Sequence, residues 1–263
     1  KWDYAKNTAL KALIFYSDLH YNTPGGLTEA QYLQNPKLSR PAAGPSKSAI
    51  EQKAGIYSKT LYGGVSHNWQ ITDQLKHVVA VFSSYTDFKN PFISNYEKRK
   101  EFTLGLRSYL EYGKKYTEAS LKFNLGAESM RTSSDIDNYG NDFGTPANLM
   151  ASDKLKAGAN FAFAHLSIDV LNKWLFELSA SANLYKYTYE SIAPTAIAAR
   201  TNRFDVQLMP RFAVSYLASP DMALKASVSK GYSPPSISEI RASNNVINVD
   251  LQPEYGWNYE GGI

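Results

Sequence analysis

The sequence predicts an all-β chain folded as an antiparallel, up-and-down, membrane-spanning β-barrel. Three observations carry this expectation. Apolar and polar residues alternate with a period of two over long stretches. Most predicted strands run 12 residues or more, where globular strands average about 5–6 and a tilted membrane strand needs about 9–11. Short and long connections alternate strictly along the chain, the layout of short turns at one membrane face and long loops at the other.

Composition narrows the class further. The chain has 263 residues, of which 43% are hydrophobic and 20% charged, so it is neither disordered nor fibrous. No apolar run reaches the roughly 18 residues of a helical membrane span. The absence of cysteine excludes a disulfide scaffold and a cysteine zinc site. A net charge of +4 is too mild to imply nucleic acid. Aromatic residues make up 13%, with 19 Tyr, 12 Phe and 4 Trp, a content that suits β structure.

Ten strands are expected, at 6–20, 54–71, 75–88, 99–112, 115–131, 153–170, 173–189, 203–217, 221–232 and 254–263. In 173–185, Trp174, Phe176, Leu178, Ala180, Ala182 and Leu184 share one face, with Glu177, Ser179, Ser181 and Asn183 on the other. In 116–128, Ala119, Leu121, Phe123, Leu125 and Ala127 oppose Glu118, Ser120, Lys122, Asn124 and Glu128. The apolar rows are expected to face lipid. Short turns are predicted at Thr72-Asp73-Gln74, Gly113-Lys114, Leu171-Asn172 and Ser219-Pro220-Asp221, and long loops at 21–53, 89–98, 132–152, 190–202 and 233–253. Trp69, Tyr112, Tyr116 and Trp174 lie near the short turns, where an aromatic ring with a polar handle suits the membrane boundary. Three irregularities stand out. Apolar parity switches between Phe163 and Leu166, which predicts a bulge near Ala164-His165. The run Val78 to Phe82 leaves its faces unassigned. Pro210 within a strand demands an edge or a bulge.

The chain opens at Lys1-Trp2-Asp3-Tyr4 without a signal sequence and stops within a predicted strand at Tyr259-Glu260-Gly261-Gly262-Ile263, so a piece of a longer protein is expected.

No catalytic constellation is present, and no enzyme, cofactor or metal is expected. His67 and His77 straddle one turn but lack a neighbouring carboxylate. Glu111, Glu118, Glu128, Glu177 and Asp205 are the inward polar residues that a barrel lumen requires. The loops carry the more informative chemistry. Arg40, Arg200 and Arg203 stand in or beside long loops, where a guanidinium offers planar donors to an anionic ligand. Tyr21, Tyr139 and Tyr232 share that rim and are candidate walls bearing a hydroxyl. Arg131 sits at a long-loop strand end. The bland reading of such arginines is a solvated charge or a contact with anionic lipopolysaccharide.

The segment Lys230-Gly231-Tyr232-Ser233-Pro234-Pro235-Ser236-Ile237-Ser238-Glu239-Ile240, followed by Asn248, Leu251, Pro253, Glu254, Tyr259, Glu260 and Gly262, resembles the TonB-dependent outer-membrane receptors. Val249 replaces the family's usual proline after the asparagine. His20-Tyr21-Asn22-Thr23-Pro24-Gly25-Gly26-Leu27-Thr28 and Tyr85-Thr86-Asp87-Phe88-Lys89-Asn90-Pro91-Phe92 resemble its ferric-siderophore branch. The resemblance implies that residues 1–263 are a partial barrel domain, without plug domain or signal peptide, contributing about ten strands to a barrel of roughly 22. It implies import of a ferric-siderophore ligand in the outer membrane of a Gram-negative bacterium. The implied partners are a TonB complex acting through the missing plug region, outer-membrane lipid and lipopolysaccharide. Rival readings are a receptor for another cargo (a vitamin, haem or a glycan) and a complete ten-stranded outer-membrane hydrolase. The hydrolase would need a catalytic cluster at the long-loop rim, which the sequence does not offer.

Overall fold

Every predicted strand is present in the computed structural model, which describes residues 1–242 and 246–263, and the count rises to twelve. The strands are β1 (Trp2–Ala5), β2 (Thr8–Asn22), β3 (Gly55–Gln70), β4 (Leu75–Pro91), β5 (Asn95–Lys115), β6 (Ala119–Asp142), β7 (Thr145–Val170), β8 (Trp174–Ala193), β9 (Ile197–Arg203), β10 (Gln207–Ser219), β11 (Met222–Ser233) and β12 (Glu254–Gly262). Two short helices, α1 (Glu29–Gln34) and α2 (Ile237–Ile240), lie in the two longest loops. Each strand pairs antiparallel with the next in the chain, except that β9 and β10 share one edge of β8. They are one strand interrupted at 204–206. The sheet is open, with β1 and β12 at its edges.

Residues paired directly across strands share a face, so register assigns the sides. On the outer face, Leu178 and Leu125 are 57% and 50% exposed, and Phe176 and Phe123 are also exposed. A water-soluble fold gains by burying such rows; here the solvent for that face is lipid. The inner face carries paired polar groups instead: Arg107 with Glu128, and Arg211 with Glu177 at 3.0 Å, with His165 3.7 Å from the same carboxylate. The run from Val78 to Phe82 resolves by register, Val79 and Val81 outward and Val78, Ala80 and Phe82 inward. Trp69, Tyr112, Tyr116, Trp174 and Tyr216 cluster at the short-turn end, and Trp174 stacks on Tyr216 at 4.2 Å. These are boundary aromatics.

Several expectations change. The loops expected at 89–98 and 132–152 are mostly strand. β4 and β5 close at 92–94, and β6 and β7 continue to a tight turn at Phe143 and Gly144, whose φ values of 51° and 83° match a two-residue hairpin. The 190–202 loop becomes the β8–β9 hairpin. The turn expected at Gly113-Lys114 falls at 116–118. No bulge interrupts Ala164-His165, where pairing with both neighbours is continuous. The parity switch has another cause: Phe161 and Phe163 point inward, and the Phe163 ring meets Tyr109 over Gly126, where no Cβ blocks it. The register shifts fall instead at 138–141 and 152–153. Pro210 pairs with Ala180 of β8 and stands one residue beyond the end of the β10–β11 ladder, where its missing N–H costs little. His67 and His77 have separate partners, Tyr4 at 2.7 Å and Ser108 at 2.8 Å.

Beyond the apolar rows, one cross-strand row on the outer face reads Asp18, Lys59, Asp87, Lys100, Asp135, Lys154, Glu190 from β2 to β8. The sign alternates at every strand. Lys59 lies 3.3 Å from Asp18, which raises its pKa through the hydrogen bond and the charge. Opposite charges directly across a ladder favour the pairing. The charged row marks where the outer face leaves the apolar band, while the inner face behind it carries Ile136, Leu155 and Tyr189.

Candidate functional site: a cleft at the long-loop mouth

All long connections emerge at one end of the sheet, and two of them fold back across it. The first is the 23–54 loop. Thr28 begins α1 with a reciprocal cap, its hydroxyl accepting from the Gln31 N–H while the Gln31 side chain accepts from the Thr28 N–H. The Gln52 amide is buried and donates to the carbonyls of Ile93 at 2.7 Å and Asn141 at 3.0 Å, while its oxygen accepts from the Phe143 N–H at 2.9 Å. Asn141 returns a bond to the Gln52 carbonyl at 2.9 Å. Lys47 completes the clasp, 2.9 Å from Asp142 and 3.3 Å above the Phe143 ring. One side chain thus joins three hairpin tips. Gln52→Ala is expected to cost about 1–3 kcal/mol by leaving buried groups unpaired. The predicted readout is faster proteolysis at 141–145 in the intact protein; unchanged cleavage would show the clasp to be redundant.

The second is the 234–253 loop. Ser236 caps α2, donating through its hydroxyl to Glu239 at 2.7 Å, and its N–H donates to the same carboxylate at 2.7 Å. These bonds lower the Glu239 pKa and keep it ionised. Ile240 then enters an inner-face cluster with Ile136, Leu155, Tyr187 and Tyr189; Tyr187 and Ile240 are fully buried. Beside it, Arg241 donates from Nε to Asp153 Oδ2 at 2.7 Å, with side chains 0% and 3% exposed. Asn248 reaches back to the Glu239 carbonyl at 2.8 Å. The described parts of this loop therefore pack onto the inner face of β6–β8 rather than extending into solvent.

Between it and the inner face of β4 and β5 lies a cleft of about 570 Å³. Phe88, Asn90, Glu97 and Arg99 form one wall, and Ser238, Glu239, Arg241 and Asn248 the other. The Arg99 guanidinium sits 4.6 Å over the Phe88 ring and 3.5 Å from Glu97. Asn90 Oδ1 is buried without a hydrogen-bond partner among the described residues. An orphan acceptor of this kind is rare in a finished structure and is satisfied when a donor enters. The cleft thus offers a guanidinium, a stacking face, two carboxylates and amide groups.

None of the six residues named from the sequence lines this cleft. Arg40 lies in the first loop, its stem over Gly25, its N–H donating to the Pro24 carbonyl at 2.7 Å. Tyr21 ends β2 opposite Ile56 and is exposed. Tyr139 lies near the tip of β6 with the Lys98 ammonium 5.1 Å from its ring, and burial followed by the Asp137 charge raises its pKa. Tyr232 ends β11 with a buried hydroxyl that has no partner among the described residues. Arg200 pairs across from Tyr189 and shares the inner face, whereas Arg203 pairs across from Lys186 on the outer face. Arg99 and Arg241 were not singled out by the sequence. Phe88 and Asn90 keep one parity in β4, and Glu97 and Arg99 keep one parity in β5, but 89–98 reads as a loop. For Arg241, the partner is 88 residues away and no local signal exists.

An antiparallel sheet with an apolar outer face, aromatic girdle, polar inner face and loop-closed mouth defines a large outer-membrane β-barrel. The chain belongs to the TonB-dependent receptor-like β-barrel family, whose model matches residues 1–263. Members are receptors and transporters of the Gram-negative outer membrane, not enzymes. The fold is similar to the unliganded ferric citrate transporter FecA (TM-score 0.78, 14% identity, 99% of this chain and 38% of that one). It is also similar to the siderophore receptor PiuA from Acinetobacter baumannii (0.73, 13%, 97% and 45%). A third likeness is the alcaligin outer-membrane receptor FauA from Bordetella pertussis (0.68, 15%, 99% and 38%). The chain spans less than half the length of each. No curated protein matches it.

Proposed function

We propose that this chain forms wall and mouth of a receptor that imports iron(III)-siderophore complexes, driven by a TonB complex acting through a plug region. The supporting observation is the cleft between β4–β5 and the 234–253 loop. Its volume of about 570 Å³ falls within the range of small-ligand sites. Arg99 and the orphan Asn90 oxygen supply donor and acceptor, and Phe88 supplies an apolar wall. Arg40, Arg200, Tyr21, Tyr139 and Tyr232 stand around the same mouth and are proposed as contacts during ligand entry. The outer face meets outer-membrane lipid and, at its outward edge, lipopolysaccharide.

The test is ferric-siderophore binding by the intact receptor. Arg99→Ala is expected to weaken binding roughly tenfold to a hundredfold, the cost of about 1.5–3 kcal/mol for a lost charge-assisted hydrogen bond. Arg40→Ala and Arg200→Ala are expected to have smaller effects. Parental binding and uptake by all three variants would overturn the cleft as the site. Tight binding of a vitamin, haem or glycan in place of the chelate would move the receptor to another cargo.

A further inference from the structure

On strands β6 to β9 the alternating charge row has a counterpart without alternation. One step closer to the short-turn end, the outer-face row reads Ser133, Lys156, Thr188, Thr201, and the next reads Arg131, Gly158, Lys186, Arg203. Four cations stand in these two rows with no carboxylate among them. Lys186 lies directly opposite Arg203, and Lys156 is diagonal to Lys186. Like charges directly opposed across a ladder are destabilising. None of the four takes part in an ion pair among the described residues. The same sheet places opposite charges in register across seven strands immediately above, so the departure is local.

Arg131 is also held in place. Its side chain crosses Gly158, where a Cβ would stand 3.0 Å from Nη1. Nη1 donates to the Met130 carbonyl and to Asn160 Oδ1, both at 3.1 Å. Nε and Nη2 have no partner among the described residues.

Height decides what meets these groups. Lys186 is 12 residues beyond Trp174, Arg131 is 12 beyond Ala119, Lys156 is 14 from Val170, and Arg203 is 13 from Tyr216. At about 3.3 Å per residue and a tilt of about 40°, they stand about 30–35 Å above the short-turn boundary. The apolar band is about 25 Å tall. The cations therefore lie at the headgroup level of the outward leaflet.

We propose that Arg131, Lys156, Lys186 and Arg203 form a docking surface for the phosphates of a phosphorylated glycolipid in the outward leaflet. The anionic headgroup relieves the like-charge opposition that the protein leaves uncompensated, and Arg131 supplies preorganised donors. This rests on the outer-membrane reading and names residues for its lipid contact.

The test uses the intact receptor with vesicles of phosphatidylcholine carrying either bisphosphorylated or dephosphorylated lipid A. The parent is expected to retain the phosphorylated form at least tenfold better. The triple variant Arg131→Gln, Lys156→Gln, Lys186→Gln is expected to lose that preference, whereas Lys156→Arg with Lys186→Arg keeps it. Heat-modifiable migration on a gel reports whether each variant is folded. Equal retention of the two lipids by the parent overturns the proposal without any variant. So does an unchanged preference in the folded triple variant, or displacement of the lipid by inorganic phosphate at equal concentration. Ferric-siderophore binding by the triple variant is expected to match the parent; its loss with lipid preference intact would count against this proposal's separation of the two surfaces.

Discussion

Asp153→Ala is expected to release the 234–253 loop from the barrel mouth. Asp153 and Arg241 are almost fully removed from water, and their 2.7 Å contact links β7 to the residue after α2. Deleting the carboxylate leaves a buried guanidinium short of its counter-charge, a change that typically costs about 3–5 kcal/mol. The α2 backbone holds few hydrogen bonds of its own, since the helix is only four residues long. Its retention therefore depends on Ile240 in the inner-face cluster and on this ion pair. Hydrogen exchange of the 237–241 amides in the intact receptor is expected to accelerate about a hundredfold or more, at tenfold per 1.4 kcal/mol, with Leu75–Pro91 unchanged. Siderophore binding is expected to weaken in parallel because Ser238 and Glu239 leave the cleft wall. The double variant Asp153→Leu, Arg241→Met is expected to recover much of the protection, because a packed apolar pair avoids burying charge. Unaltered exchange in Asp153→Ala would show that apolar packing alone anchors the loop.

Gly126→Leu is expected to block folding of the barrel wall. A Cβ at this position would lie 2.4 Å from Tyr109 Cβ, 2.6 Å from the Ser108 carbonyl oxygen and 2.9 Å from Phe163 Cζ. Only the last is the tip of a movable ring; the others are backbone or its first side-chain atom. Overpacking typically costs about 1–3 kcal/mol and more where backbone must shift. Gly231 provides the control, because the nearest atom to its Cβ would be 3.8 Å away. Heat-modifiable migration should disappear for Gly126→Leu, weaken for Gly126→Ala and persist for Gly231→Ala. Equal folding of all three would refute the role given to the ring contact over Gly126.

The strands most legible in the sequence are those that cross the membrane. Trp174, Phe176 and Leu178 face lipid while Glu177 and Ser179 face the polar interior, so the two environments write a period of two into the chain. The signal fades where strands continue into water. Around Asn95-Tyr96-Glu97-Lys98 and Asp135-Ile136-Asp137-Asn138 most side chains are polar, and these stretches read as loops. They are strands because β5 and β6 supply each other's backbone partners and because Lys100 falls opposite Asp135. Glycine produced the opposite error. Inward Phe161 and Phe163 imitate a parity break, since nothing in their own segment reveals that Gly126 on the next strand leaves room for a ring.

The class of fold, the end at which the long loops gather and the membership suggested by residues 230–262 are legible in the chain itself. Those features are written locally, in alternation, turn chemistry and a contiguous motif. That Arg200 and Arg203, read from the sequence as neighbours on one rim, lie on opposite faces emerges only from the pairing of β9 with β8. Where the mouth is closed and which residues line it follow only from the folded chain. Arg241 meets Asp153 across 88 positions, Gln52 meets Asn141 across 89, and Arg99 faces the loop that Arg241 anchors. Polar contacts of that kind follow from how loops fold back over a sheet, and no period in the chain encodes which distant partner satisfies a buried charge.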